Sequence, residues 1–218
     1  MGRFIIKGKE AASFLQKVLI NNAEALHVGE SHYTLIQDEK GCSKDDAYLY
    51  YFKQNEYLLI VNASNRVKDW QYFKEQSKDL SEVSFHDATR DIDMISLQGP
   101  RSKKILLSVL SEGTLLEPLK NKLDIVRIGG FEVLIGRTGY TGEPLCFELF
   151  VGKKYSLKVW NTLISAGALP TGLGARDTLR LEVNMPLYGH ELSESIPVFA
   201  SPLTFFVNSK LLKILIDY

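Results

Sequence analysis

The stretch Leu123-Asp-Ile-Val-Arg-Ile-Gly-Gly-Phe-Glu-Val-Leu-Ile-Gly136 decides the class of fold. Two short apolar runs, 123–128 and 131–137, flank Gly129-Gly130, and a glycine pair between such runs makes a tight antiparallel hairpin. A glycine-punctuated loop over 138–144 follows, then a third strand at 146–151. Upstream the same punctuation recurs, with strands over 3–7, 31–37, 46–53, 56–61 and 92–97 and turns at 38–41 and Gln54-Asn55. Helical spacing marks 9–20, with Ala12, Leu15, Val18 and Leu19 on the apolar face. Asn62 or Ser64 is placed to cap a helix running to 76, with Val67, Trp70 and Phe73 in helical register. Further helices are expected over 100–111, 154–166 and 175–184. Strands outnumber helices and are joined by tight turns, so the expected fold is α+β, mostly antiparallel sheets with packed helices.

The chain has 218 residues, enough for one large domain or two small interlocked ones. Lys+Arg and Asp+Glu both number 26, which leaves no net charge to favour nucleic acid or a membrane surface as a partner. Cys42 and Cys146 stand alone, without metal-type spacing or a disulfide framework, so no metal site is expected. The longest apolar runs, near 196–207, are broken by Pro197 and Pro202 and are too short for a bilayer span. No secretory or transit signal opens the sequence. The expectation is a cytoplasmic protein, or one of the mitochondrial matrix if eukaryotic.

Three constellations could carry chemistry. Residues 170–192 open with Gly172 and Gly174, continue as a helix pattern with Leu179 and Val183 on one face, and stop at Pro186. Arg176 falls in the first turn of that helix, where the macrodipole disfavours a cation, so it needs a partner. A salt bridge to Asp177 or Glu182 is the simplest one, and an anionic or hydrogen-bond-accepting ligand is the alternative. The first two glycines resemble a dinucleotide fingerprint, but Asp177 stands where the third should be, and a nucleotide site is rejected. The second constellation is Lys44-Asp45-Asp46 at the head of a tyrosine-rich strand. Strand alternation puts Asp46, Tyr48 and Tyr50 on one face, where partial desolvation would raise the carboxyl's proton affinity; as solvated turn residues the two acids would be inert. The third is the loop with Gly136, Gly139 and Gly142, in which Tyr140 offers a stacking face. It leads into Phe147-Glu148-Leu149, where a charge inside an apolar strand demands a donor.

Gly-Tyr-Thr-Gly-Glu at 139–143, Gly-Leu-Gly-Ala-Arg-Asp at 172–177 and Met-Pro-Leu-Tyr-Gly-His-Glu-Leu at 185–192 together resemble the glycine cleavage T-protein family of aminomethyltransferases. So do Asp45-Asp46, Val61-Asn-Ala-Ser-Asn65 with Lys68-Asp69, and Leu97-Gln-Gly-Pro100, all in consistent order. The resemblance implies a folate-binding fold and transfer of an aminomethyl-derived carbon to tetrahydrofolate from a lipoyl-bearing carrier protein, with release of ammonia. It implies Asp46 as the catalytic carboxylate and Glu148 and Arg176 as folate-binding residues, with Tyr33, Tyr50 and Tyr140 lining the folate site. It also implies that Arg176 and Glu148 share one folate pocket with Asp46.

The likeness fades after about 197, so the expected organisation is an aminomethyltransferase-like region over 1–195, open to division into two interlocked α+β subdomains, and a divergent tail over 196–218. The family carries a segment before Met1-Gly2 and a further C-terminal β-rich domain. By that measure the chain reads as shortened at both ends, with exposed apolar surface expected where the missing domain would pack. Three other readings compete: a folate-binding module without transferase activity, an inactive remnant, and a related methyltransferase or demethylase on the same scaffold. The Lys-Gly-Cys-Tyr motif of the related iron–sulfur assembly factors is absent near Tyr188.

Overall fold

The computed structural model describes residues 1–38, 42–115, 120–198 and 203. The chain divides into two compact units, one of residues 1–89 and 187–218 and the other of 90–186.

In the first unit, strands β1 (Gly2–Lys7), β2 (Glu30–Gln37), β3 (Ser43–Lys53), β4 (Glu56–Val61) and β5 (Ser84–Asp87) form one sheet in the order β2-β3-β4-β1-β5. Every pairing in it is antiparallel. Helices α1 (Ala11–Val18) and α2 (Arg66–Gln76) cover one face. Period-two alternation sends Ala47, Leu49 and Tyr51 of β3 and Leu59 and Val61 of β4 into the core with Phe14, Leu15 and Phe73 of the helices. Phe73 stands edge-on to Phe4 and Phe14, with ring centroids 6.1 and 5.9 Å apart. On α1 the buried residues are Ala11, Phe14, Leu15 and Val18, with Ala12 partly buried against the same core and Leu19 buried at the helix end. On α2, Val67 is exposed and the acid Asp69 is buried in the turn that follows it.

In the second unit, β6 (Ile92–Gln98), β7 (Leu110–Glu112), β8 (Leu123–Ile128), β9 (Phe131–Gly136) and β10 (Cys146–Gly152) form a second sheet in the order β6-β10-β9-β8-β7, again wholly antiparallel. Gly129 and Gly130 turn the β8–β9 hairpin at φ of 57° and 83°. Helices α3 (Ser102–Val109) and α4 (Lys153–Ser165) pack Ile105, Leu106, Val159 and Leu163 against Phe147, Leu149 and Val151 of β10. The fold is thus α+β with antiparallel sheets, as the hairpin pattern requires.

Helix α5 (Leu173–Glu182) departs from its expected packing. Its one buried residue is Arg180, which donates to Asp177 at 2.7 Å and to the Met185 carbonyl at 3.1 Å. Leu179, Leu181 and Val183 stay exposed, and Leu169 and Leu173 are each 82% exposed. Gly174 lies inside the helix, so the expected glycine hinge is only Gly172, its N-cap. Of the tail expected over 196–218, Val198 and Leu203 are buried beside Ile20, Leu35 and Leu192; residues 199–202 and 204–218 lie outside the described ones, as do residues 39–41 of the expected turn at 38–41.

Two glycines give opposite expectations. Gly8 sits at φ +127°, and a Cβ there would lie 1.8 Å from the Glu82 carbonyl oxygen. Gly8→Ala is therefore expected to cost about 2–4 kcal/mol, read as a lowered urea midpoint. Gly174 has open space around it inside α5, so Gly174→Ala should be neutral or add about 0.5–1 kcal/mol. A Gly8→Ala variant as stable as the parent would refute the backbone account.

Candidate functional site

In the first unit the site builds from β3 outward. The register pairs Tyr33 with Tyr48, Leu35 with Asp46 and Ser31 with Tyr50, so Tyr33, Asp46, Tyr48 and Tyr50 share the sheet face opposite the helices. Tyr33 donates its hydroxyl to Asp46 Oδ2 at 3.1 Å. The Tyr33 and Tyr48 rings lie 6.3 Å apart, and those of Tyr48 and Tyr50 lie 5.1 Å apart. Tyr50 is fully buried on this face, whereas Tyr33 and Asp46 are only half-buried. Asp46 is the one acid of this aromatic cluster, and burial, then the charge of Asp45, raises its carboxyl to about 6. Hydrogen bonds from Asn62 and Tyr33 act the other way and keep it from rising further.

Asp45 and Asp46 are not solvated turn residues. The strand begins at Ser43, two residues before Asp45, and Asp45 is completely buried. Asp45 accepts from the Asn62 backbone N–H at 2.9 Å, from Asn62 Nδ2 at 2.8 Å and from Asn65 Nδ2 at 2.7 Å. Asn62 Nδ2 also donates to Asp46 Oδ1 at 2.5 Å. This corrects the expected helix cap: Asn62 spends its side chain on the two aspartates, and α2 starts after Asn65 without a side-chain cap bond. Lys68 closes the same corner, donating to the Lys44 carbonyl at 2.7 Å, to Glu194 at 2.9 Å and to the Tyr188 hydroxyl at 3.3 Å. Asn62, Asn65 and Asp69 stand in a motif legible in the sequence, yet no periodicity gives them a role; only strand β3 reaching back to Ser43 does.

In the second unit, β10 alternates Phe147, Leu149 and Val151 into the core with Cys146, Glu148 and Phe150 on the other face. Glu148 is completely buried there and accepts from Thr138 Oγ1 at 2.5 Å. The donor demanded by an acid in an apolar strand is thus a threonine of the glycine loop. Gln98, opposite Cys146 in the register, pins that loop by accepting from the Tyr140 N–H at 3.2 Å and Thr141 Oγ1 at 2.6 Å. Gly139 has no room for a side chain: a Cβ would fall 2.2 Å from Cys146 Cβ. The tight loop fixes Tyr140, and the Arg176 guanidinium lies over its ring at 5.8 Å.

The salt bridge expected of Arg176 is not formed, because Asp177 is taken by Arg180 at 2.7 Å, three residues along the helix. Among the described residues Arg176 has no ion pair, and the Tyr140 ring is what it faces. The structure therefore joins Asp46 to Tyr33 in one unit, and Tyr140 to Arg176 in the other, with Glu148 held by the same loop that carries Tyr140. His190, one of four histidines in the sequence, lies exposed in a turn. No helix among the described residues is long and apolar enough to cross a membrane.

A family profile described as the GCVT N-terminal domain matches residues 1–211. An aminomethyltransferase of Thermus thermophilus is 40% identical over 210 residues, covering 96% of this chain and 59% of the relative. That of Geobacillus kaustophilus is 37% identical over 215 residues, covering 96% of this chain and 58% of the relative. The chain thus spans less than two thirds of the length of these relatives. The crystal structure of the glycine cleavage system aminomethyltransferase T from Bartonella henselae superimposes with a TM-score of 0.86 at 24% identity, covering 98% of this chain and 57% of that one. A weaker likeness of fold, TM-score 0.55 at 15% identity, joins 78% of the chain to heterotetrameric sarcosine oxidase from Corynebacterium sp. U-96. With nearly its whole length matched by one profile, and by relatives well above chance identity, the chain belongs to the GCVT N-terminal domain family, the family of the glycine cleavage aminomethyltransferases.

Proposed function

We propose that the chain binds tetrahydrofolate and serves aminomethyl transfer, with residues 1–195 as the folate-binding region. The observation that carries this reading is Glu148, a buried carboxylate on the non-core face of an apolar strand, fixed by Thr138 from a loop that also presents an aromatic ring. A carboxylate accepts two parallel N–H bonds well, and the amino and ring N–H edge of a reduced pterin offers such a pair. Tyr140 supplies a stacking face and Arg176 a cation for the anionic glutamyl end of folate or its polar edge.

Asp46 takes the chemical role. With its carboxyl near 6 it is ionised at neutral pH, yet close enough to neutrality to take a proton. In the proposed reaction a lipoyl-bearing carrier protein presents an aminomethyl group on sulfur. The bonds from its carbon to nitrogen and to sulfur break, two folate nitrogens take their place, and ammonia and the carrier thiol leave. Positive charge develops on the transferred carbon and the attacking nitrogen, and a fixed carboxylate stabilises it electrostatically. Tyr33 and Asn62 hold the two Asp46 oxygens, so the charge is oriented before substrate arrives.

Two experiments separate binding from chemistry. Fluorescence titration with a reduced folate should be saturable, and Glu148→Ala should weaken it about 100-fold, the worth of two charge-assisted hydrogen bonds. Unchanged affinity would remove Glu148 from the reading. Ammonia release from an aminomethyl-loaded lipoyl carrier should fall about 1,000-fold in Asp46→Asn while folate affinity stays within a few-fold. The sign of the pH effect follows from ionisation: turnover should drop about tenfold per unit as pH falls below 6, where Asp46 takes up its proton. Saturable folate binding with no ammonia release from the parent chain would assign it as a binding module instead.

A further inference from the structure

We infer that Asp69 is a positioning residue for Asp46: it holds a proton and donates it to Asp45, so that the two buried carboxyls carry a single negative charge behind Asp46. The inference rests on the reading of Asp46 as the folate-facing carboxylate. Asp69 is completely buried, and neither of its oxygens has a hydrogen-bond donor. An ionised carboxylate in that setting is not tolerated, whereas a protonated one supplies its own donor.

The placement follows from the sheet. Asp45 has the strand parity of Ala47, Leu49 and Tyr51 and faces the helices, where α2 brings Asp69 against it. Asp46, one residue on, points to the opposite face. Asp45 already accepts three N–H bonds, so the charge settles on Asp45 and the proton on Asp69. Burial and then the Asp45 charge push the Asp69 carboxyl up to about 9. Lys68 and Lys44 are the cations that oppose this, and Lys68 is held by the Lys44 carbonyl, Tyr188 and Glu194.

One charge is what Asp46 requires. The Asp45 carboxylate is the second cause, after burial, that lifts Asp46 to about 6. Two ionised carboxylates behind it would lift it further, so that Asp46 kept its own proton at neutral pH and could not stabilise positive charge. With none, burial alone would still raise it, but by less, and its proton exchange would move further below neutrality. Asn62, bonded to Asp45 and Asp46 at once, transmits the arrangement as geometry as well as charge.

The test is carboxyl-carbon NMR of aspartate-labelled protein between pH 4 and 10, without folate. One aspartate should remain protonated at pH 7, titrate near 9, and be missing from Asp69→Asn. Asp45→Asn should lower the Asp46 midpoint by about one unit, while Asp69→Asn, which keeps a donor to Asp45, should leave that midpoint in place. A parent whose aspartates are all ionised by pH 7 overturns the inference, and so does an Asp46 midpoint that ignores Asp45→Asn. If Asp45→Asn does not fold, the parent and Asp69→Asn spectra decide.

Thermal unfolding gives a second readout. A carboxyl whose folded-state proton affinity is raised contributes stability below its ordinary range, near pH 4, and loses it as pH rises through about 9. The melting temperature of Asp69→Asn minus that of the parent should therefore widen from pH 5 to pH 9, and a constant gap would sink the shared proton. None of these measurements involves folate or transfer, so a failure of the functional reading at Asp46→Asn would show separately.

Discussion

The corner of the first unit depends on one amide. Neighbouring residues of a strand point to opposite faces, so Asp45 and Asp46 should have no common partner. Asn62 reaches both because β4 ends at Val61, directly beside the start of β3, where the register pairs Ala47 with Val61. The chain leaving the end of this central strand puts the Asn62 side chain across the end of β3, with 2.8 and 2.5 Å bonds to the two carboxylates. Its backbone N–H, freed from the ladder, takes the remaining Asp45 oxygen at 2.9 Å. A helix cap from the same residue would have left a buried Asp45 short of donors, which is costlier than an uncapped, half-exposed helix start.

The two sheets answer the same problem differently. Each buries one face under helices and keeps a polar group on the other, which antiparallel alternation makes possible within a single strand. On β3 the acid sits among tyrosines, and its donors come from a tyrosine hydroxyl and an amide. On β10 the acid is fully enclosed and its donor is a threonine hydroxyl delivered by a loop that Gln98 and the missing side chain of Gly139 hold flat. The glycines matter here for close approach, which fixes Tyr140 on the loop, and Arg176 of α5 lies over its ring.

Much of this was legible in the sequence because the signals were periodic. The hairpin around Gly129-Gly130, the alternation of β3 and the apolar runs of β9 and β10 all translate directly into the observed sheets. The short strands β5 and β7 were missed, since three or four residues with polar members carry no period. Charged residues misled more than apolar ones. Lys44-Asp45-Asp46 looks like a turn because propensity counts charge as exposure, whereas the sheet buries Asp45 by supplying three donors from elsewhere in the chain. On α5 the apolar residues suggested a packed stripe, but Asp177 at the right helical spacing neutralises Arg180 and lets the arginine be the buried residue instead. Pairing of that kind also explains why Arg176 was left to an aromatic ring: one carboxylate cannot serve two arginines at i−1 and i+3 when only the second lies on its own face.

The role of Asp69 lies beyond what pattern could disclose, because it depends on which of two buried acids finds donors. Asp45 and Asp69 are chemically identical, and nothing local distinguishes them. The difference is that β4 ends beside Asp45 and sends it Asn62 and Asn65, while Asp69, projecting from α2 against Asp45, receives no donor among the described residues. Backbone topology therefore decides the ionisation: the acid reached by three N–H groups keeps the charge, and the acid reached by none keeps the proton. The same asymmetry fixes the charge seen from the opposite face of the sheet, where Asp46 stands with Tyr33. Together with burial, which acts most, a strand end, an amide and a protonated carboxyl set the proton affinity of a residue that none of them would be expected to touch from its place in the sequence.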